Sequence, residues 1–186
     1  MYIICGLGNP GKQYEDTRHN MGFKTLDVLS SRLGIAVTKL KFKALIGEGR
    51  LGDEKVVLVK PQTYMNLSGE SLRPLMDFYK ETPEHLIVVY DDVDLNLGAL
   101  RIRAFGSSGS HNGMKSVIYH LQYDNFPRIR IGLGDHGDIP LDRFVIAKPS
   151  EEEQKILAQS ILDAADAAVC IVEKGIDEAM QKYNRK

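Results

Sequence analysis

The first residues of the chain constrain its fold more than any other segment. A strand-like run, Tyr2 to Cys5, leads directly into a glycine-rich segment, Gly6 to Gly11, and polar groups that include Asn9 and His19 follow closely. Functional sites of α/β proteins form where strands end and loops begin. The segment therefore predicts an N-terminal strand with a site at its carboxyl end.

The glycines at positions 6, 8 and 11 match the spacing of a dinucleotide-binding fingerprint. The context differs, because Pro10 and Gly11 continue into a polar loop, whereas the fingerprint places its third glycine in the start of a helix. The acidic residue at about the expected ~20-residue distance, Asp27, lies in a segment whose apolar residues repeat with helical spacing. A nicotinamide or flavin enzyme therefore stays only as an alternative, which titration with either cofactor would test.

Strand-like and helix-like patterns alternate along the rest of the chain. A fully apolar strand pattern at 86–90, another strand at 128–132 and a hairpin across Gly52 and Asp53 are separated by helical patterns. Ser150 and Glu153 form a capping-box pattern that predicts the start of a long helix. Without a repeat or linker, residues 1–186 predict one domain, an α/β sandwich with a mixed, largely parallel sheet and helices on both faces.

The charge balance and the cysteines narrow the class of protein. The 24 basic and 25 acidic residues nearly cancel, so contact with nucleic acid requires a local basic patch. Cys5 and Cys170 lie far apart in apolar segments, which indicates reduced core residues and no disulfide. No apolar run approaches the ~20 residues of a membrane span, and no leader pattern opens the chain. We therefore expect a soluble, cytoplasmic protein without membrane contact.

Polar side chains follow several of the predicted strands and should meet at one edge of the sheet. They are Asn9, His19, Asn66, Asp91 and Asn112. A histidine suits a general base near neutral pH, a carboxylate can orient it, and amides can position water and stabilise an oxyanion. No Gly-x-Ser-x-Gly or His-Glu-x-x-His motif is present. The set predicts direct attack of water on an activated acyl bond such as an ester, without a metal.

Simpler interpretations of the same residues stay open. Asp91, Asp92 and Asp94 could hold a magnesium ion or serve only their loop. Asn9 could belong to a turn, and Asn66 could cap the following helix. The combination of a base, a carboxylate and several amides favours the catalytic interpretation, with Asp91 as its carboxylate.

Six segments occur in an order and spacing typical of one enzyme family. They are Gly6–Gly11, Tyr14 with Thr17–Asn20, Lys60–Gly69, Tyr90–Leu95, Gly109–Lys115 and Arg128–Gly132. In these segments the chain resembles bacterial-type peptidyl-tRNA hydrolases. The resemblance implies hydrolysis of the ester between a peptide and the 3′-terminal ribose of tRNA. It also implies a monomer that needs no cofactor, no metal and no obligatory protein partner.

The resemblance assigns a role to each polar residue of the predicted site. It implies that His19 is the general base and that Asp91 orients it. Asn9, Asn66 and Asn112 would bind the peptide backbone, the ester oxygen and the attacking water. A non-catalytic RNA-binding module on the same fold is the alternative. Such a module would not need these five residues together, and all five are present.

The resemblance also implies contacts with the tRNA. Tyr14 would lie beside the terminal nucleotide. Independently of the resemblance, Tyr64 is expected to form a wall of the cleft, as apolar lining residues usually do. Arg103 and Arg130 would bind the 5′-phosphate of the acceptor stem, a role that suits the bidentate, permanently charged guanidinium group. The family usually has lysine at position 103 and glycine at position 110, where this chain has Arg103 and Ser110. These departures affect the expected substrate affinity more than the expected activity.

Overall fold

A computed structural model describes residues 1–186 and contains one seven-stranded sheet. Its strands are β1 (Tyr2–Gly6), β2 (Lys39–Lys41), β3 (Ala44–Leu51), β4 (Glu54–Pro61), β5 (Leu86–Asp92), β6 (Leu100–Arg103) and β7 (Arg128–Gly132). The helices are α1 (Met21–Leu33), α2 (Ser68–Tyr79), α3 (Asn112–Leu121), α4 (Leu141–Val145), α5 (Glu151–Lys174) and α6 (Ile176–Tyr183). None of the helices combines the length and apolar character that a membrane crossing needs.

The strand order, β2-β3-β4-β1-β5-β7-β6, places parallel strands at the centre of the sheet. β1 pairs in parallel with β4 and β5, and β5 pairs in parallel with β7. Antiparallel pairs flank this centre: β3 with both β2 and β4 on one side, and β6 with β7 on the other. The predicted mixed sheet and its hairpin are confirmed, with Gly52 in the left-handed region at φ 61° in the turn.

Two apolar clusters cover opposite faces of the sheet, because successive side chains of a strand point to opposite sides. Ile4 packs in the cluster that α1 and α5 complete, which includes Leu26 and Leu157. Ile3 and Cys5 pack in the cluster beneath α2 and α3. Cys5 is fully buried, and burial raises the pKa of its thiol. Helices therefore lie on both faces as predicted, and Cys5 belongs to the core.

Two glycines let α1 lie directly against the sheet. A Cβ atom on Gly22 would lie 2.4 Å from the carbonyl oxygen of Val89, and one on Gly6 would lie 2.2 Å from the carbonyl oxygen of Gly22. Such distances leave no room for a side chain at either position. Gly6 and Gly22 therefore serve helix–sheet packing. Gly11, the third glycine of the dinucleotide-binding spacing, lies in the loop well before α1 begins at Met21. The contact of α1 with the sheet also holds the short turn that contains His19 next to β5.

The C-terminal residues of the chain lie along the outer side of β6. The backbone of Arg185 exchanges two hydrogen bonds with Leu100, at 3.2 and 3.0 Å. The side chain of Asn184 accepts from the backbone N–H of Ile102 and donates to its carbonyl oxygen. At the start of the preceding long helix, Ser150 and Glu153 form both hydrogen bonds of the predicted capping box. The end of the chain is therefore fixed to the sheet.

Candidate active site

A cleft of about 710 Å³ opens at the carboxyl end of β5. One wall is the segment from Phe105 to Asn112, and residues of β7 and α4 also line the cleft. Five of the predicted site residues line this cleft, and His111 lines it with them. The five are His19, Asp91, Arg103, Asn112 and Arg130. The edge of the sheet thus brings the predicted base, its carboxylate and the predicted arginine pair into one cavity.

His19 and Asp91 form a short hydrogen bond at the bottom of this cleft. Nδ1 of His19 lies 2.7 Å from Oδ2 of Asp91. Asp91 is almost fully buried near the end of β5, whereas the His19 side chain keeps 12% of its surface exposed. Because Nδ1 faces the carboxylate, Nδ1 carries the proton and Nε2 is left as the basic nitrogen. The predicted pairing is therefore present, with one nitrogen available to a substrate or water.

A second histidine shares the same carboxylate. Nε2 of His111 lies 3.3 Å from Oδ1 of Asp91, and Nδ1 of His111 accepts a hydrogen bond from the backbone N–H of Met114 at 3.1 Å. His111 is thus the N-cap of α3, and the N–H of Met114 fixes the proton of a neutral His111 on Nε2. Asp91 accepts one hydrogen bond on each oxygen. No sequence pattern predicts that His111 also holds Asp91.

Burial and the hydrogen bond between His19 and Asp91 shift the pKa of both groups. Burial lowers the pKa of His19, but the negative charge of Asp91 and their hydrogen bond outweigh it, so the pKa of His19 is raised from its ordinary value. Burial acts to raise the pKa of Asp91, but the two imidazoles outweigh it and hold this pKa far below its ordinary value. Asp91 is therefore ionised at neutral pH, and it favours the protonated form of His19.

The same three side chains form the one group of three or more potential metal ligands in the structure. The nearest ligand atoms of His19, Asp91 and His111 all lie within 4.8 Å of one another. A metal ion there would replace both imidazole–carboxylate hydrogen bonds. The three acidic residues considered for magnesium do not form such a group. Asp92 instead accepts from Arg130 at 2.9 Å and from the backbone N–H of Asp94 at 2.8 Å.

Asn9 is held rigidly by backbone and side-chain contacts. Its backbone N–H donates to Oδ1 of Asn20 at 2.8 Å, and Nδ2 of Asn20 donates to its carbonyl oxygen at 2.9 Å. Oδ1 of Asn9 accepts from the backbone N–H of Met65 at 2.7 Å. This leaves Nδ2 of Asn9 as a donor without a protein partner. Asn20, which sequence reasoning did not single out, fixes this orientation.

The other predicted amides lie in a shallower groove beside the main cleft. Asn66 and Asn112 line it together with Lys115 and Tyr119 of α3. The residue in the N-cap position of α2 is Leu67, and α2 has no side-chain capping hydrogen bond, so Asn66 is not its cap. Asn112 lines both cavities and joins them. Of the three predicted asparagines, only Asn112 therefore shares a cavity with the His19–Asp91 pair; Asn66 and Asn112 are exposed to solvent, and Asn9 is buried.

Tyr14 and Tyr64 lie together but outside the lining of the main cleft. Their rings are in edge-to-face contact, with centroids 6.3 Å apart. Tyr64 is 54% exposed and adopts φ 64° and ψ 157°, a backbone conformation that is rare for residues other than glycine. Its unusual backbone immediately precedes Met65, whose N–H binds Asn9. The two tyrosines are thus an exposed aromatic pair next to the amide that Asn9 presents.

Arginines alternate with isoleucines on β6 and β7, and all four arginines lie on the same face. Arg101 is opposite Arg130 in the antiparallel pair, and Arg103 is opposite Arg128. Arg128 is buried and donates to the carbonyl oxygens of Ser107 and Asp124 at 3.1 and 2.6 Å. Burial and the neighbouring guanidinium groups lower the pKa of Arg103. The Arg-Ile-Arg pattern at 101–103 and again at 128–130 is a sequence signal from which this basic face could have been predicted.

The fold and the cleft together define a hydrolase. A histidine oriented by a buried carboxylate lies in one cavity with exposed amide and guanidinium groups. A family model described as peptidyl-tRNA hydrolase matches residues 3–186, and the chain belongs to this family.

Proteins of known sequence and structure agree with this assignment. The chain is 58% identical over 186 residues to a peptidyl-tRNA hydrolase of Alkaliphilus metalliredigens, covering 99% of this chain and 100% of that protein. It is 55% identical to one of Caldanaerobacter subterraneus, with 99% and 100% covered. A crystal structure of the Arg-to-Gln mutant of the Acinetobacter baumannii peptidyl-tRNA hydrolase superposes with a TM-score of 0.94 at 35% identity, covering 99% of this chain and 94% of that one.

Proposed function

We propose that this protein hydrolyses the ester bond between a peptide and the 3′-terminal ribose of tRNA, releasing free tRNA and peptide. The observation that carries the proposal is the 2.7 Å hydrogen bond between His19 and Asp91 in a cleft that also contains Arg103 and Arg130. Membership of the peptidyl-tRNA hydrolase family supports the same substrate.

His19 acts as the general base of the proposed reaction. Its Nε2 takes a proton from water as the water attacks the ester carbonyl, and Asp91 stabilises the imidazolium that forms. The tetrahedral intermediate then collapses, and His19 returns the proton to the ribose oxygen that leaves. No covalent enzyme intermediate is required, because an ester is activated enough for direct attack by water.

The amides provide binding and charge stabilisation. Nδ2 of Asn9 has no protein partner, so it can donate to a carbonyl oxygen of the substrate. Asn112 is exposed in the cleft of the base and Asn66 in the adjoining groove, and both suit the peptide backbone, the ester oxygen and the attacking water. Neutral amides can stabilise a developing oxyanion without raising the charge of the site. Tyr14 and Tyr64 would contact the terminal nucleotide and the adjoining part of the substrate.

Arg103 and Arg130 bind the 5′-phosphate of the acceptor stem in this proposal. Asp92 neutralises one guanidinium of the basic face, and Nε of Arg101 and Nε of Arg130 are buried without a hydrogen-bond partner. A positive excess therefore stays on this face. Phosphate contacts of this kind make tRNA affinity depend on salt concentration.

We also propose that residues 1–186 form one domain that acts as a monomer in the cytosol. One sheet with helices on both faces includes all seven strands, which supports a single domain. The base, the carboxylate, the amides and the arginines all come from one chain, so a second copy is not needed to complete the site. The cytosol follows from the proposed substrate, because tRNA is charged and used there.

The test is release of labelled N-acetyl-aminoacyl groups from tRNA by wild type and by His19→Ala. We expect the variant to lose about 10²–10⁴-fold in rate, the usual contribution of a general base. His85→Ala is the matched control, because His85 lies before β5, at its other end, and bonds to Glu81. Tight tRNA binding without release by the wild type would instead support the non-catalytic RNA-binding module.

A further inference from the structure

Phe105 is an exposed aromatic side chain at the rim of the cleft. It follows β6 directly after Ala104, and 70% of its surface is exposed to solvent. It belongs to neither of the apolar clusters that cover the sheet. Nothing in the core therefore explains a phenylalanine at this position.

The surroundings of Phe105 favour a nucleic-acid ligand. It lines the main cleft together with Arg103 and Arg130, and the other phenyl ring in this lining, that of Tyr90, is only 2% exposed. Phe105 is thus the one exposed phenyl ring in the cleft that also contains His19 and the basic face. Exposed aromatic rings beside basic side chains are how proteins hold single-stranded nucleic acid, because every base offers a flat face for stacking.

The backbone next to Phe105 is anchored, so the point at which its side chain is attached is fixed. The N–H of Gly106 donates to the carbonyl oxygen of Asp124 at 3.3 Å. The buried guanidinium of Arg128 donates to the carbonyl oxygens of Ser107 and Asp124. A preorganised aromatic platform loses less conformational freedom when a base stacks on it.

We propose that Phe105 stacks on an unpaired base of the tRNA 3′ end, upstream of the terminal adenosine. The inference rests on the proposed function, in which the ester lies at His19 and the 5′-phosphate lies at Arg103 and Arg130. The unpaired 3′ strand joins these two points and must cross the cleft that Phe105 lines. The terminal nucleotide belongs to the tyrosine pair in that arrangement, so Phe105 faces a base closer to the stem.

Two substrates and three variants test the stacking. The substrates are N-acetyl-aminoacyl-tRNA and the same N-acetyl-aminoacyl group esterified to adenosine alone, which lacks the upstream bases. The variants are Phe105→Ala, Phe105→Leu and Phe105→Trp. Leu40→Ala is the control, because Leu40 is 72% exposed on β2, at the opposite edge of the sheet.

The expected result is a change in KM confined to the full tRNA substrate. Phe105→Ala and Phe105→Leu raise KM for the tRNA substrate by about 5- to 150-fold, the range measured for loss of one stacked base, with kcat close to wild type. Phe105→Trp and Leu40→Ala keep the wild-type KM. All four variants cleave the adenosine ester at the wild-type rate.

Three results would overturn the inference. They are an unchanged KM in Phe105→Ala, a wild-type KM in Phe105→Leu, and an equal loss on the adenosine ester, which would indicate contact with the peptide. Failure of the proposed function gives a different result, because wild type would then cleave neither substrate.

Discussion

Replacing Asp91 by asparagine removes one of the two acceptor oxygens that lie between His19 and His111. The carboxylate accepts from Nδ1 of His19 at 2.7 Å and from Nε2 of His111 at 3.3 Å. An amide of the same shape has one oxygen and one NH₂ group, so it can accept from only one imidazole. The effect on the reaction depends on which histidine donates its hydrogen bond to the amide oxygen.

His111 decides the orientation of this asparagine. The backbone N–H of Met114 donates to Nδ1 of His111, which fixes the proton of His111 on Nε2. The amide oxygen must then face His111, and the NH₂ group faces Nδ1 of His19. His19 is forced into the tautomer with its proton on Nε2, where it cannot accept a proton from water. We expect kcat to fall by about 10⁴-fold, the loss seen when a catalytic histidine is held in the wrong tautomer.

A second substitution tests the cause of this loss. Serine is a good N-cap and too short to reach Asp91, so His111→Ser keeps the cap of α3 and removes the competing N–H. In that background the asparagine can turn its oxygen towards His19. Asp91→Asn should therefore cost at least about ten times less in His111→Ser than in the wild type, a non-additivity expected of side chains in one network.

The wild type, the two single variants and the double variant form a double-mutant cycle. Single-turnover rates at saturating N-acetyl-aminoacyl-tRNA give the four values that it needs. Thermal unfolding of the four proteins checks that each is folded at the assay temperature. Equal losses from Asp91→Asn in both backgrounds would refute the tautomer explanation, and a loss below tenfold in the wild type would refute the role of Asp91 itself.

Three further results are expected. The pKa of His19 is raised above its ordinary 6.5, and the base acts in its neutral form, so kcat/KM should rise with pH through a pKa above 6.5. In Asp91→Asn only the effect of burial on this pKa remains, so the rise should move to lower pH. A pH–rate profile that rises at the same pH in both proteins would contradict the assignment. Asn20→Ala should lower the free energy of unfolding by about 2–4 kcal/mol, since it leaves two buried backbone groups of Asn9 unpaired, and should also lower kcat; urea denaturation that shows no loss would contradict the role of Asn20. Ser150→Ala should cost about 1 kcal/mol by loss of the N-cap of α5 and leave kcat unchanged, and a change in kcat at constant stability would count against a purely structural cap.

Strong local signals made most of the fold predictable. The strand at 128–132 has the predicted bounds, and the capping box at Ser150 starts α5 as expected. α4 was not predicted as an element, and β2 was anticipated only through Lys39, Lys41 and Lys43 as the solvated face of a strand. β2 has three residues, of which Lys39 and Leu40 are exposed. The strand exists because it pairs with β3. α4 has only five residues, too few to show a helical period.

The site was predictable where function requires a residue type and not where a role depends on three-dimensional contacts. The family resemblance implied that Asp91 orients His19, and the two side chains are hydrogen-bonded. The link from Asp91 through His111 to α3 depends on distances that no sequence pattern encodes. Arg128 and Arg130 share one Arg-Ile-Arg pattern and one face of β7, and both line the cleft, yet Arg128 is buried and donates to backbone carbonyls, whereas Arg130 is half-buried and pairs with Asp92. Only the neighbouring loop distinguishes them.

The C-terminal residues that lie along β6 also protect the protein from self-association. An open strand edge offers unpaired N–H and C=O groups to a strand of another copy. Asn184 and Arg185 occupy these groups on Leu100 and Ile102, so one edge of the sheet is closed by the chain's own tail. The other edge, β2, is only three residues long and carries two lysines, which disfavours pairing by charge. Cutting the chain after residue 183 would therefore expose a strand ready to pair with a second copy, while leaving every proposed catalytic group in place.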